Sequence, residues 1–314
     1  MSHQLIIYLI FIAVLVIALL FDLGLLSKSN KIISIKTATW QTVFWVALAM
    51  AFFVFLLIDE GQKTALEYLS AYLMEWSLSI DNIFVFILIF TSFKVKENYY
   101  GRVLLVGILM AIVLRIIFIS IGVELVERFS WILYLFGAFL VYTGFKMFTE
   151  KEEKEFDPHK NKVYKFLNRF LPLSPTDGNG HYVIRVKGKP QYTVLFVVVV
   201  ILATVDLAFA LDSIPAVMGV SQDRLVIYTS NIFAVLGLRS LFFLLRNAVN
   251  KFQFLQQGIS IVLIFIGVKM LGEHFISQWI NKNFQVILSL AVIVLCIGCS
   301  IVYSIWYNKK KSKT

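Results

Sequence analysis

Runs of about twenty apolar residues, the length that crosses a bilayer as a helix, recur from one end of this chain to the other. The first, Leu5–Phe21, holds no charged residue. Across the sequence 59% of residues are hydrophobic and 15% charged, and the mean hydropathy is +0.82. A soluble domain carries roughly 45–50% apolar and about 25% charged residues, so a water-soluble fold is excluded. Barrel strands alternate apolar and polar over about ten residues, and these runs do not. The sequence predicts an all-α polytopic membrane protein.

Nine transmembrane helices are expected, at 5–26, 41–58, 66–92, 101–122, 131–148, 192–218, 225–245, 253–271 and 285–307. The one long connection, 149–191, carries the charge run Lys151–Glu155 and turn formers at Pro172, Pro175 and Asp177-Gly178. It reads as a solvated loop with a short helix around Tyr164–Phe170.

Charge tests the spans. The net charge is +10, which in a soluble protein suggests a nucleic-acid partner. Here 22 of the 29 Lys and Arg fall in one set of alternating loops and helix ends. Only Lys63, Arg128, Arg224 and Lys282 fall in the other set, and three lie inside spans. Basic residues collect on the cytoplasmic side, so no nucleic acid is expected. The N-terminus is placed outside and the C-terminus in the cytoplasm. Met1–Gln4 has no Lys or Arg, and no small-residue cleavage site follows, so the first run is kept as a mature helix rather than a signal peptide. Cys296 and Cys299 lie inside the last span and read as small packed residues.

Two stretches match. Glu75-Trp-Ser-Leu-Ser-Ile-Asp81-Asn82 and Asp206-Leu-Ala-Phe-Ala-Leu-Asp212-Ser213 share an acid, five residues, an acid and a small polar residue, 131 positions apart. Leu114-Arg115 then matches Leu238-Arg239, and Gly144-Phe-Lys146-Met147 matches Gly267-Val-Lys269-Met270. The repeated unit holds three spans. Three is odd, so the second copy enters from the opposite face and the repeat is inverted, an architecture of secondary transporters. The chain divides into an N-terminal two-helix segment (1–62), repeat one (63–149), a cytoplasmic loop (150–191), repeat two (192–272), and a last helix with a basic tail (273–314).

Glu75, Asp81, Asp206 and Asp212 fall in mid-span. Each carboxylate at the bilayer centre costs roughly 2.5–3.5 kcal/mol on insertion scales. Arg115, Arg239 and Lys269 are the expected charge-balancing partners. Such groups either stitch helices as buried ion pairs, which stabilise poorly compared with apolar packing, or form an ion or proton site. The second reading is favoured. At about 100° per residue, Glu75, Ser79 and Asn82 share a helix face, as do Asp206 and Ser213. Asp81 and Asp212 point about 120° away and join the site only if the helix opens locally or a neighbour lies there. Pro215 is expected to free the Leu211 carbonyl and break the second helix. The ligand set is carboxylate, amide, hydroxyl and carbonyl oxygen, which suits Mn²⁺, Ca²⁺ or Mg²⁺ better than Zn²⁺ or Cu⁺.

At Glu75-Trp-Ser-Leu-Ser-Ile-Asp81-Asn82 and Ala210-Leu-Asp212-Ser213-Ile-Pro215-Ala216 the chain resembles the TerC family of integral membrane proteins, Alx-type members included, within the wider lysine-exporter-like superfamily. The resemblance spans roughly residues 40–305 in span order and loop placement. It implies a bacterial cytoplasmic-membrane protein of nine helices linked to Mn²⁺ efflux and to tellurite resistance. It implies that Glu75, Asp81, Asn82, Asp206, Asp212 and Ser213 line the metal site.

Exporting a divalent cation against an inside-negative potential costs about 4.6 kcal/mol per 100 mV. No nucleotide-binding motif is present, so protons are the expected counter-substrate and Mn²⁺ the expected cargo, with no permanent cofactor. An assembly or stress-resistance partner using loop 150–191, and a passive ion channel, are the alternatives. An intramembrane aspartyl protease is disfavoured, because Asp212 follows Phe209-Ala210-Leu211 rather than Gly-x-Gly. No enzymatic activity is expected.

Overall fold

The computed structural model describes residues 3–26, 33–129, 131–149, 162–246 and 254–311. It is nearly all-helical. Long helices occupy all nine expected places: α1 (His3–Leu26), α2 (Ile35–Asp59), α3 (Gln62–Ser92), α4 (Glu97–Arg128), α5 (Ile132–Thr149), α7 (Val194–Val220), α8 (Arg224–Leu245), α9 (Leu255–Trp279) and α10 (Lys282–Lys311). Among the described residues seven of these (α2, α4, α5, α7, α8, α9 and α10) are long and apolar enough to cross a membrane, and α1 carries a shorter apolar stretch, Ile6–Leu20.

The loop between α5 and α7 contains the short helix α6 (Lys162–Phe170) where one is expected, and then an antiparallel hairpin of β1 (Val183–Val186) and β2 (Lys189–Tyr192). Lys187 and Gly188, both at positive φ, make the two-residue turn that suits such a hairpin. The charge run 151–155 lies outside the described residues.

Helix α8 is the enclosed element. Almost every side chain from Leu225 to Phe243 is buried, with α2, α3 and α4 packed around it. Its start is capped by Asp223, whose carboxylate accepts from Leu225 N at 2.8 Å. Helix α4 also packs on α7, and α5 on α9. The outside of the bundle is apolar: Ile12, Ile17, Val113, Ile121, Leu135, Val294 and Val302 are exposed. Exposed apolar side chains on this many helices suit lipid as solvent.

The helix ends gather in two sets. Arg224 at the start of α8 pairs with Glu127 at the end of α4, and Ser221 after α7 donates to Glu67 near the start of α3. At the other end Arg246 after α8 pairs with Glu97 at the start of α4 at 3.2 Å. Gln256 of α9 donates there to the Met147 carbonyl of α5 at 3.2 Å. This second end also receives the α6–hairpin segment. Lys96 meets Asp177 at 2.6 Å, and Arg102 donates to the Gly180 carbonyl at 3.1 Å.

One local expectation is corrected. Helix α7 runs without interruption from Val194 to Val220, with Pro215 inside it. A proline removes one N–H, and the turns on either side keep their own hydrogen bonds. The anticipated break is not there.

Candidate functional site

Four helices bring polar groups to one buried point. On α3, Glu75 and Ser79 have no exposed surface and Asn82 is buried with them. The spacing of four and three residues sets all three on one face. On α7, Asp206 (2% exposed) and Ser213 are buried. Arg115 of α4 is 1% exposed and Asn231 of α8 is fully enclosed.

Arg115 is the centre of the cluster. Its Nε donates to Asp206 Oδ2 at 2.7 Å and its Nη2 to Asp206 Oδ1 at 3.3 Å. Its Nη1 donates to Glu75 Oε1 and, at 3.1 Å, to Asn231 Oδ1. Ser213 Oγ donates to the same Glu75 oxygen at 3.3 Å. The Asn231 amide nitrogen donates to the Ile227 carbonyl one turn back at 3.0 Å, which fixes its oxygen towards the guanidinium. One guanidinium thus joins carboxylates on α3 and α7, the first helices of the two matched segments.

The hydrogen bonding is incomplete. Glu75 Oε2 and Ser79 Oγ are buried and have no hydrogen-bond partner among the described residues. A buried oxygen left unsatisfied costs about 1–3 kcal/mol, more when charged. Glu75 and Asp206 together bring two carboxyl groups to the single guanidinium of Arg115. Buried ion pairs of this kind are weak stabilisers compared with apolar packing.

The other expected site residues fall as follows. Asp81 and Asp212 lie within α3 and α7, but their side chains are outside the described residues. Among the described residues no three His, Cys, Asp or Glu side chains group as metal ligands. Arg239 is buried on α8 and lines a small pocket with Leu19, Leu105, Ile108, Leu109 and Leu236. Lys269 of α9 donates to the Gly219 carbonyl at 3.3 Å and to Ser289 Oγ of α10 at 3.1 Å. Gly219 is 13 residues along α7 from Asp206, about 20 Å at 1.5 Å per residue. Of the three expected charge partners, Arg115 is the one placed on Glu75 and Asp206. Asn231 was not anticipated. Its signal is an amide on the helix that also carries Arg239, eight residues earlier.

These features define a polytopic helical integral membrane protein with an acid–guanidinium cluster buried among its helices. The sequence pattern of the "Integral membrane protein TerC family" matches residues 60–312, and the chain belongs to that family. It is 39% identical over 295 residues to "Uncharacterized membrane protein STKORF319" of Myxococcus xanthus, covering 94% of this chain and 90% of that one. It is 36% identical over 295 residues to an "Uncharacterized membrane protein" of Rickettsia felis, covering 94% and 97%. It is also 36% identical over 309 residues to "Putative membrane-bound redox modulator Alx" of Escherichia coli (strain K12), covering 95% and 94%. No solved structure matches.

Proposed function

We propose that this protein is a secondary transporter that exports a divalent metal cation, manganese in the first place, from the bacterial cytoplasm in exchange for protons. The observation that carries the proposal is the Glu75–Arg115–Asp206 bridge: two buried acids, one from each matched segment, held by one guanidinium. Oxygen ligands suit Mn²⁺. Arg115 acts as a tethered counter-ion. It occupies the carboxylates when no cation is bound and withdraws towards Asn231 when one arrives. Protons entering from outside restore the empty state. Asp81, Asp212, Asn82 and Ser213 complete the oxygen set on the same helices.

The packing supports an inverted repeat within nine spans. Exchanging α3 with α7, α4 with α8 and α5 with α9 turns the α3–α8 contact into the α7–α4 contact, and both exist. The α5–α9 crossing obeys the same exchange. A Cβ on Gly137 would lie 3.0 Å from the Gly267 carbonyl, and one on Gly144 would lie 2.8 Å from the Ser260 carbonyl. The 123-residue offset that equates Gly144 with Gly267 equates Gly137 with Ser260. We place the N-terminus outside and the C-terminus in the cytoplasm on the distribution of Lys and Arg, and assign no catalytic activity.

Liposomes containing the protein and a Mn²⁺-sensitive dye test this. An imposed pH gradient is expected to drive Mn²⁺ movement, and Glu75→Gln or Asp206→Asn to slow it at least about tenfold. Transport indifferent to the gradient would make the protein a channel. Transport unchanged by both substitutions would remove the site.

A further inference from the structure

The contact between Glu75 and Ser213 has a twin. Ser221 Oγ donates to Glu67 Oε2, again a hydroxyl of α7 to a carboxylate of α3. Glu67 and Glu75 are eight residues apart on α3, and Ser221 and Ser213 are eight apart on α7 in the opposite sense. The two contacts are therefore rungs of one antiparallel seam, about 12 Å from each other. Between them lie Ala71 and Val217, both fully buried, so the seam is shut over this length. Glu67 is 8% exposed, its Oε1 lies 3.7 Å from Lys63 Nζ, and Ser221 Oγ also accepts from Asp223 N at 3.1 Å.

The two ends of the seam are unlike. The 131-residue offset that equates Glu75 with Asp206 equates Glu67 with Val198 and Ser221 with Phe90. Val198 and Phe90 are fully buried, and the Phe90 ring packs on Tyr100 and Phe242, 4.2 and 5.5 Å between centroids. At the end with Lys63 and Arg224, the sparsely basic side, the matched positions are thus a carboxylate and a hydroxyl. At the other end they are apolar. The acid and hydroxyl at one end are thus a difference between the two copies, not something the repeat imposes.

We propose that Glu67 and Ser221 form the outer gate of the cation path. Their hydrogen bond latches α3 to α7 while the Glu75–Asp206 site is closed to the outside. When the latch opens, the Glu67 carboxylate is the first oxygen ligand the departing cation meets. Its binding there favours outward release, and the apolar end offers nothing equivalent. This proposal rests on the transport function above.

The test uses full-length protein in cells, with Cys296→Ala and Cys299→Ala as the parent and Ala71→Cys between the rungs as reporter. A membrane-impermeant maleimide is added outside, and Mn²⁺ efflux is followed in the same cells. Ser221→Ala is expected to speed labelling about tenfold or more, the scale of a lost hydrogen bond to a charged group. Glu67→Gln still accepts the hydroxyl, so it is expected to label as slowly as the parent while efflux falls several-fold. Val217→Cys, across the seam, is a second reporter should Ala71→Cys not fold. Labelling unchanged by Ser221→Ala in a chain that exports Mn²⁺ overturns the gate and leaves the transport function standing. A parent that moves no cation overturns the transport function and the exit role of Glu67 with it.

Discussion

Arg115 holds Asp206 through two hydrogen bonds, Nε to Oδ2 at 2.7 Å and Nη2 to Oδ1 at 3.3 Å, which leaves Nη1 for Glu75 and Asn231. This geometry distinguishes arginine from lysine: a planar fork grips one carboxylate and still reaches a second. It also ties α4 to both α3 and α7, which pack on each other directly as well. A change in who occupies the two carboxylates is therefore a change in how α3, α4 and α7 hold one another.

The bridge can be separated from its role in transport. Arg115→Met strands two buried carboxylates and is expected to destabilise the protein by about 3–5 kcal/mol, the cost of breaking a buried pair from one side. Adding Glu75→Gln and Asp206→Asn removes the stranded charges, so the triple variant is expected to recover most of its thermal stability in detergent. Mn²⁺ transport should stay abolished in it. Recovery of transport together with stability would reduce the cluster to a structural ion network.

Asn231 is expected to matter through Arg115. Asn231→Leu fits a similar volume but removes the acceptor for Nη1 and the donor to the Ile227 carbonyl. A loss of about 1–2 kcal/mol in unfolding free energy is expected. The diagnostic arm is the combination with Arg115→Met. Because the two residues share a contact, their effects should fall short of additive by about 0.5 kcal/mol or more. Strict additivity would show that Asn231 acts independently.

How much was legible in the sequence follows from what a bilayer demands. Nine helix positions were readable because long, mostly apolar runs mark them, and seven of the nine are, among the described residues, long and apolar enough to cross a membrane. The ends were not: α4 was expected over 101–122 and runs from Glu97 to Arg128. Its last turns are polar but tied, with Glu124 to Arg128 and Glu127 to Arg224. The β1–β2 hairpin was missed because its four-residue strands sit in a charged loop, although Lys187-Gly188 after Val183-Ile-Arg-Val was a usable turn signal. Glu75, Arg115 and Asp206 stood out because ionisable groups in mid-span are rare. Glu67, the second residue of the expected 66–92 span, was not singled out, and its contact with Ser221 comes only from the packing of α3 on α7. Pro215 misled because one missing N–H is too small a perturbation to stop a helix whose neighbours still bond.

The α5–α9 crossing should be the least tolerant point of the bundle. A Cβ on Gly267 would lie 2.6 Å from the Gly137 carbonyl and 2.8 Å from Val141 Cγ2. Small residues let helix backbones approach in lipid, and the oxygen there belongs to backbone, which cannot swing aside. Gly267→Ala is expected to cost about 1–3 kcal/mol or more. Gly298→Ala on α10, where a Cβ meets nothing within 4 Å, should be neutral or slightly stabilising. Equal melting temperatures for the two variants would show that the crossing is loose.

The last prediction concerns the strap formed by the segment after α6. The hydrogen bond from Lys96, with a second from Asn179 N, holds the Asp177 carboxyl below its usual range. The same Asp177 contact holds the Lys96 ammonium above its usual range. The signs are opposite. A carboxyl more acidic in the folded state contributes stability that is present above its unfolded value, about 3.9, and lost as pH falls through the depressed one. A raised ammonium contributes below its unfolded value, about 10.4, and loses this as pH climbs through the raised one. The pair therefore secures the strap between roughly pH 4 and 10. Lys96 is largely exposed and Asp177 about a quarter exposed, so salt should weaken it. A nitroxide at Arg185→Cys on β1, in a chain with Cys296 and Cys299 replaced by alanine, reads its mobility. Motion is expected to rise as the medium is acidified below about pH 4, and to be higher in Asp177→Asn at neutral pH. Since Arg102 still holds the Gly180 carbonyl, the strap should loosen without detaching. An Asp177→Asn spectrum identical to the parent at neutral pH and low salt would show that the backbone contacts alone position this segment.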